Sequence, residues 1–197
     1  ATYVDGVLYA GNSAFDAKTG EHKLDYVNPS GEGQTPLTVA NGLVFSGGWD
    51  GPLMAFDAET AQMMWSVPTQ GGGIRAIPTV GGNVVYAVNE AGELIAVDST
   101  TGNTLFTYQL DGAVNMGPSL AGGILYVSTD AGTLYALGED DGNATPVPPV
   151  ATPAATVSGF DAAQISLAWE TTGSESAPLA YPQGVSIASD GNVYVID

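Results

Sequence analysis

The 197-residue chain sets three basic residues, Lys18, Lys23 and Arg75, against 21 acidic ones, for a formal charge of −18. Nucleic-acid and anionic-membrane partners are excluded on that balance, because such affinity rests on Lys and Arg. Cysteine is absent, which rules out disulfides, thiolate metal sites and cysteine nucleophiles, while 44% hydrophobic content with 27 glycines suits an all-β protein with many turns.

Four stretches repeat one another. The anchors Phe45, Tyr86 and Tyr126 recur at 41 and 40 residues, and Asp16, Asp57 and Asp98 at 41 and 41. That is the period of a four-stranded propeller blade. The first copy, Val4-Asp-Gly-Val-Leu-Tyr-Ala-Gly11, runs from Tyr9-Ala-Gly-Asn12 straight to Ala14-Phe-Asp16, so its second hairpin is about five residues short and its blade frayed or tightened. The second copy begins at Val39-Ala-Asn-Gly-Leu-Val-Phe-Ser-Gly47.

The third copy predicts strands over 77–80, 84–88, 94–97 and 104–108, rich in β-branched and aromatic residues. Its connections carry turn chemistry. Glu90-Ala-Gly92, like Asp50-Gly51 and Asp130-Ala-Gly132, joins strands two and three. Asp98-Ser-Thr-Thr-Gly102 joins strands three and four, with Gly102 expected at positive φ. Val84, Tyr86, Ile95, Val97, Leu125, Tyr126 and Leu134 are expected to be buried between blades.

The fourth copy keeps Thr133-Leu-Tyr-Ala-Leu137 but replaces the Asp-x-x-Thr-Gly turn with Gly138-Glu-Asp-Asp-Gly-Asn143. A Pro/Thr/Ala spacer follows, a linker or inserted loop at 139–160 that carries Asn143-Ala-Thr145, a candidate glycosylation acceptor. Ile165-Ser-Leu-Ala-Trp-Glu170 has the alternation of a fourth strand, comparable with Gln62-Met-Met-Trp65. The last segment, Tyr181–Asp197, spaces Pro182 and Tyr194 by 12 residues where Pro78 and Tyr86 are 8 apart, so 161–197 is expected to start a second repeat type.

The run Gly47-Gly-Trp-Asp-Gly-Pro-Leu-Met-Ala-Phe-Asp-Ala-Glu-Thr60 with Trp65, together with Leu94-Ile-Ala-Val-Asp-Ser-Thr-Thr-Gly102, resembles the pyrroloquinoline-quinone-type propeller repeat. That repeat occurs in quinoprotein dehydrogenases and in non-catalytic bacterial envelope proteins. The resemblance covers 1–138 and implies quinoprotein-like blades there. Tyr181-Pro-Gln-Gly-Val-Ser-Ile-Ala-Ser-Asp-Gly-Asn-Val-Tyr-Val-Ile-Asp197 is similar to the opening of an NHL repeat, a family associated with protein and ligand binding. Quinoproteins of the first family hold their cofactor with adjacent cysteines, basic residues and a calcium cluster. A chain without cysteine and with a single arginine is expected to bind no such cofactor.

In a meandering blade the turns between strands two and three share a side with the connections from strand four to the next blade. Trp49, Asp50, Arg75, Glu90, Asn115, Met116 and Asp130 therefore form the candidate interaction face. Asp50, Glu90 and Asp130 would make an acidic arc able to attract a cation or basic partner, or would be plain hairpin residues; calcium needs more converging oxygens than this spacing offers. The lone His22, placed in a turn beside Glu21 and Lys23, reads as a solvated residue rather than a catalyst. No catalytic constellation emerges and no metal site is expected.

The expectation is an all-β, open or partial propeller of about four blades, followed by a linker and an incomplete further blade. Its expected role is a non-catalytic interaction scaffold, extracellular or in the bacterial cell envelope, binding a protein partner or a neighbouring subunit within a larger chain or assembly. The alternative is a structural portion of a quinoprotein oxidoreductase whose catalytic residues lie elsewhere.

Overall fold

Every hydrophobic run in the first 138 residues is short and punctuated by glycine, and each forms a strand. The computed structural model describes residues 1–139 and, beyond them, the strands at 165–171, 173–174, 177–178, 184–187 and 193–196. No helix occurs among the described residues.

Four antiparallel four-stranded sheets follow one another as blades. Blade 1 is β1 (Thr2–Val4), β2 (Val7–Ala10), β3 (Ser13–Asp16) and β4 (His22–Asp25). Blade 2 is β5 (Thr38–Ala40), β6 (Leu43–Gly47), β7 (Leu53–Asp57) and β8 (Met63–Val67), and blade 3 is β9 (Thr79–Gly81), β10 (Val84–Val88), β11 (Glu93–Asp98) and β12 (Thr104–Gln109). Blade 4 is β13 (Ser119–Ala121), β14 (Ile124–Ser128), β15 (Leu134–Glu139) and β16 (Ile165–Thr171), the last joined across the segment 140–164. A small hairpin, β17 (Gly173–Ser174) with β18 (Ala177–Pro178), precedes β19 (Gly184–Ile187) and β20 (Val193–Ile196). The inner strands β1, β5, β9, β13 and β19 each lie beside the next, the arc of a propeller around its axis.

The core lies between blades. Side chains alternate along a strand, and the middle strands of blades 2 to 4, sandwiched between neighbours, bury both faces. In β10, Val85 and Ala87 pack toward Phe45, Leu53 and Ala55 of blade 2, while Val84, Tyr86 and Val88 pack toward Leu125, Val127 and Leu137 of blade 4. All seven residues expected in the core are buried there. Threonine hydroxyls clasp the blades near the axis: Thr38 Oγ1 donates to the Pro78 carbonyl at 2.6 Å, and Thr79 Oγ1 to that of Pro118.

Three local expectations shift. The inner strand of blade 3 begins at Thr79 rather than Ile77, because Pro78 has no N–H to pair and its carbonyl is taken by Thr38. The short first copy is tightened, not frayed: only Gly11 and Asn12 separate β2 from β3, and the four-stranded sheet is kept. His22 stands in β4 rather than in a turn, its Nε2 2.9 Å from Asp25 Oδ1 and its ring edge-on to Phe15 at 5.6 Å. Glu139, expected to open the spacer, ends β15, and the rest of the spacer, with Asn143, lies outside the described residues.

A feature the sequence reading missed recurs in every blade. The pairing of the third and fourth strands shifts register after Ala14, Ala55, Ala96 and Ala136, and these alanines oppose Leu24, Trp65, Phe106 and Trp169. A bulge increases local twist. The signal was the alanine itself, at the same place in all four copies.

Candidate functional site

In blades 2, 3 and 4 the turn between strands two and three is held by backbone to the connection that enters the blade. The N–H groups of Trp49, Glu90 and Asp130 donate to the carbonyls of Gly33, Gly73 and Ala113 at 2.8, 2.9 and 2.9 Å. This weave makes Trp49, not Asp50, the repeat equivalent of Glu90 and Asp130. The expected acidic arc is therefore interrupted by an aromatic ring in blade 2.

Glycines in the connections permit the approach. A Cβ on Gly33 would lie 2.2 Å from the Trp49 ring, one on Gly73 2.1 Å from the Trp49 carbonyl oxygen, and one on Gly112 2.4 Å from Asp130 Oδ1. Such contacts are closer than any side chain tolerates, so the turn face is packed by the absence of side chains.

Three of the candidate residues meet. The Arg75 guanidinium sits 4.9 Å from the Trp49 ring centroid, and its Nε donates to Glu90 Oε1 at 2.8 Å. Glu90 Oε2 also accepts the Gly73 N–H at 3.1 Å. Arg75, then the Gly73 N–H, hold the Glu90 carboxyl below its ordinary range. An exposed ion pair contributes little stability by itself, and a cation over an exposed aromatic adds about 0.5–1 kcal/mol. What the stack fixes is position: the chain's single arginine is held over an indole that remains 48% exposed.

The other candidates stay apart from this stack. Asp50 turns to the preceding connection, where Asn28 Nδ2 donates to its Oδ1 at 2.8 Å, and hydrogen bonds from Ser30 and Asn28 hold its carboxyl low. Asp130 stands over Gly112 in the next blade. Asn115 and Met116 belong to the connection entering blade 4, where Met116 is exposed, as is Ile77 in the connection before it. Among the described residues no three acidic or histidine side chains gather as a metal-holding group. The result is a rigid turn face with an aromatic, a paired cation and two exposed aliphatic side chains.

On the opposite rim the Asp-x-x-Thr turns are closed by their own aspartates. Asp98 Oδ1 accepts the N–H groups of Thr100 and Thr101 and the Thr101 hydroxyl at 3.1, 2.7 and 2.8 Å. Asp57 repeats this with Glu59 and Thr60, and Asp16 accepts the N–H groups of Lys18 and Thr19. These hydrogen bonds lower all three carboxyls. The turns are structural: Trp65 Nε1 crosses from blade 2 to the Ser99 carbonyl at 2.9 Å, and Tyr26 from blade 1 donates its hydroxyl to the equivalent Ala58 carbonyl at 2.6 Å. Burial pushes the Tyr26 phenol up, so it stays a donor.

A family profile described as outer membrane protein assembly factor BamB matches residues 69–197. The outer membrane protein assembly factor BamB of Shewanella oneidensis is 36% identical over 74 residues, 38% of this chain and 18% of that relative's length. Among solved structures, the computationally designed Ika8 protein superposes with a TM-score of 0.70 at 15% identity over 98% of this chain and 56% of its own. BamB from Moraxella catarrhalis gives 0.56 at 21% identity over 66% of this chain and 41% of that one. These likenesses carry the propeller fold. The matched span is about two thirds of the sequence, and the chain belongs to the PQQ-like β-propeller repeat family described as outer membrane protein assembly factor BamB.

Proposed function

We propose that this chain is a non-catalytic propeller scaffold of the bacterial cell envelope that docks a polypeptide during outer-membrane protein assembly. The observation that carries the reading is the Trp49–Arg75–Glu90 stack on the side of the turns between second and third strands, where the blade connections also leave Ile77 and Met116 exposed. Trp and Arg are the residues that most often dominate polypeptide interfaces, and a side chain already held in place loses little entropy on binding. The BamB relative, an outer membrane protein assembly factor, supplies the process. A net charge of −18 favours a basic or neutral partner.

The outward side of blade 1 supports membership in a larger ring or assembly. Tyr3 and Leu8 pair across β1 and β2, and are 66% and 37% exposed. Such an apolar sheet face calls for a further blade or a neighbouring subunit.

The test pairs two charge substitutions on exposed positions of the turn face, Arg75→Glu and Met116→Asp, in the full-length protein. The expected outcome is a lower level of folded outer-membrane proteins with the scaffold's melting temperature held. Unchanged levels with both substitutions would refute this face as the docking surface.

A further inference from the structure

The interfaces on either side of blade 2 differ in the side chain that faces the bulged alanine. Opposite Ala55, β8 presents Trp65, whose indole crosses to the Ser99 carbonyl and lies against Gly102, where an added Cβ would come within 2.8 Å of the ring. Opposite Ala14, at the same register, β4 presents Leu24. A crevice of about 420 Å³ opens there between blades 1 and 2.

Its walls match those around the Trp65 indole. Val4, Val7 and Leu24 line it from blade 1, and Val39 and Ala58 from blade 2; one interface further on, Ala40, Leu43 and Val80 take the corresponding repeat positions beside Trp65. Tyr26 supplies the hydrogen bond to the turn but not the filling, since its ring packs inward against Tyr9 and Phe56 at 6.1 and 6.0 Å. The volume lies within the ~300–1,000 Å³ of small-molecule sites. Asp5, Glu59 and Lys23 also line the crevice, and Lys23 Nζ is 3.8 Å from Asp16 Oδ2, so negative charge predominates around it.

We propose that this crevice binds an uncharged or cationic planar aromatic molecule of indole size, between two apolar blade faces, in the position Trp65 fills at the next interface. Dispersion and apolar burial supply the attraction, and the acidic lining selects against anions.

Tryptamine, indole and indole-3-acetate titrated into the full-length protein, followed by amide chemical shifts, provide the test. The expected result is saturable shifts at Asn41, Gly42 and Ala58 with the first two, and binding of the carboxylate weaker by at least about tenfold. Leu24→Trp should abolish these shifts and raise the melting temperature; the wild-type titration stands whether or not that variant folds. No saturable shift, shifts confined to other residues, or equal binding of the anion would overturn the proposal.

Discussion

The two blade interfaces on either side of blade 2 solve one problem differently. Between blades 2 and 3 a single residue, Trp65, fills the gap, caps the Ser99 carbonyl and covers Gly102. Between blades 1 and 2 the tasks are divided: Tyr26 caps Ala58 from within the core while Leu24 leaves a crevice. At these two interfaces the donor to the turn carbonyl is kept while the filled rim is not, and a carbonyl left buried without a partner would cost about 1–3 kcal/mol.

The comparison can be broken most forcefully at Gly102. Its φ is 76° and its Cβ would strike the Trp65 ring, so Gly102→Val should cost on the order of 2–4 kcal/mol in denaturant unfolding, strain and clash combined. Gly20, at φ 75° with nothing within 4 Å of an added Cβ, should lose only the strain, about 1–2 kcal/mol, on substitution by Val. Equal losses at the two glycines would show that Trp65 is not the difference. Trp65→Ala should cost about 2–3 kcal/mol, less than a fully buried Trp because the ring is partly exposed.

Acid should weaken both interfaces through their turns. The carboxyls of Asp16, Asp57 and Asp98 are lowered from 3.8, so the folded state binds protons less readily than the unfolded. Their stabilisation is complete above 3.8 and is lost as the pH falls below it. Replacing Asp98 with Asn should flatten the fall in melting temperature over that window; an unchanged slope would remove Asp98 from the account. The smallest effect is at Ala61, which holds φ 56° where the other two turns have Gly20 and Gly102. Ala61→Gly should stabilise by about 0.5–1 kcal/mol, the left-handed penalty less the entropy cost of glycine. A loss of stability would mean that the Ala61 methyl packs usefully.

The period of 41, the middle strands and the turn glycines were legible because each is a local rule: apolar runs, Asp-x-x-Thr-Gly, and residues buried on both faces. The candidate face was legible in outline, since reversal of strand direction alone groups Trp49, Arg75 and Glu90. The Arg75 stack was not, because it depends on which turn residue the backbone weave selects, and that register is set by hydrogen bonds between segments about 16 residues apart. Nor was the crevice, because Leu24 reads as an ordinary strand residue until it is aligned with Trp65 through the bulge at Ala14 and Ala55.

The claim that the turn face docks a polypeptide is tested most directly by placing a photo-cross-linking amino acid at Met116 and, separately, at Glu59 on the opposite rim, in cells carrying the full-length protein. The account predicts a discrete adduct with an outer-membrane assembly component from position 116 that disappears with Arg75→Glu, and none from position 59. The same adduct from position 59 with none from 116, or none from either, would contradict it.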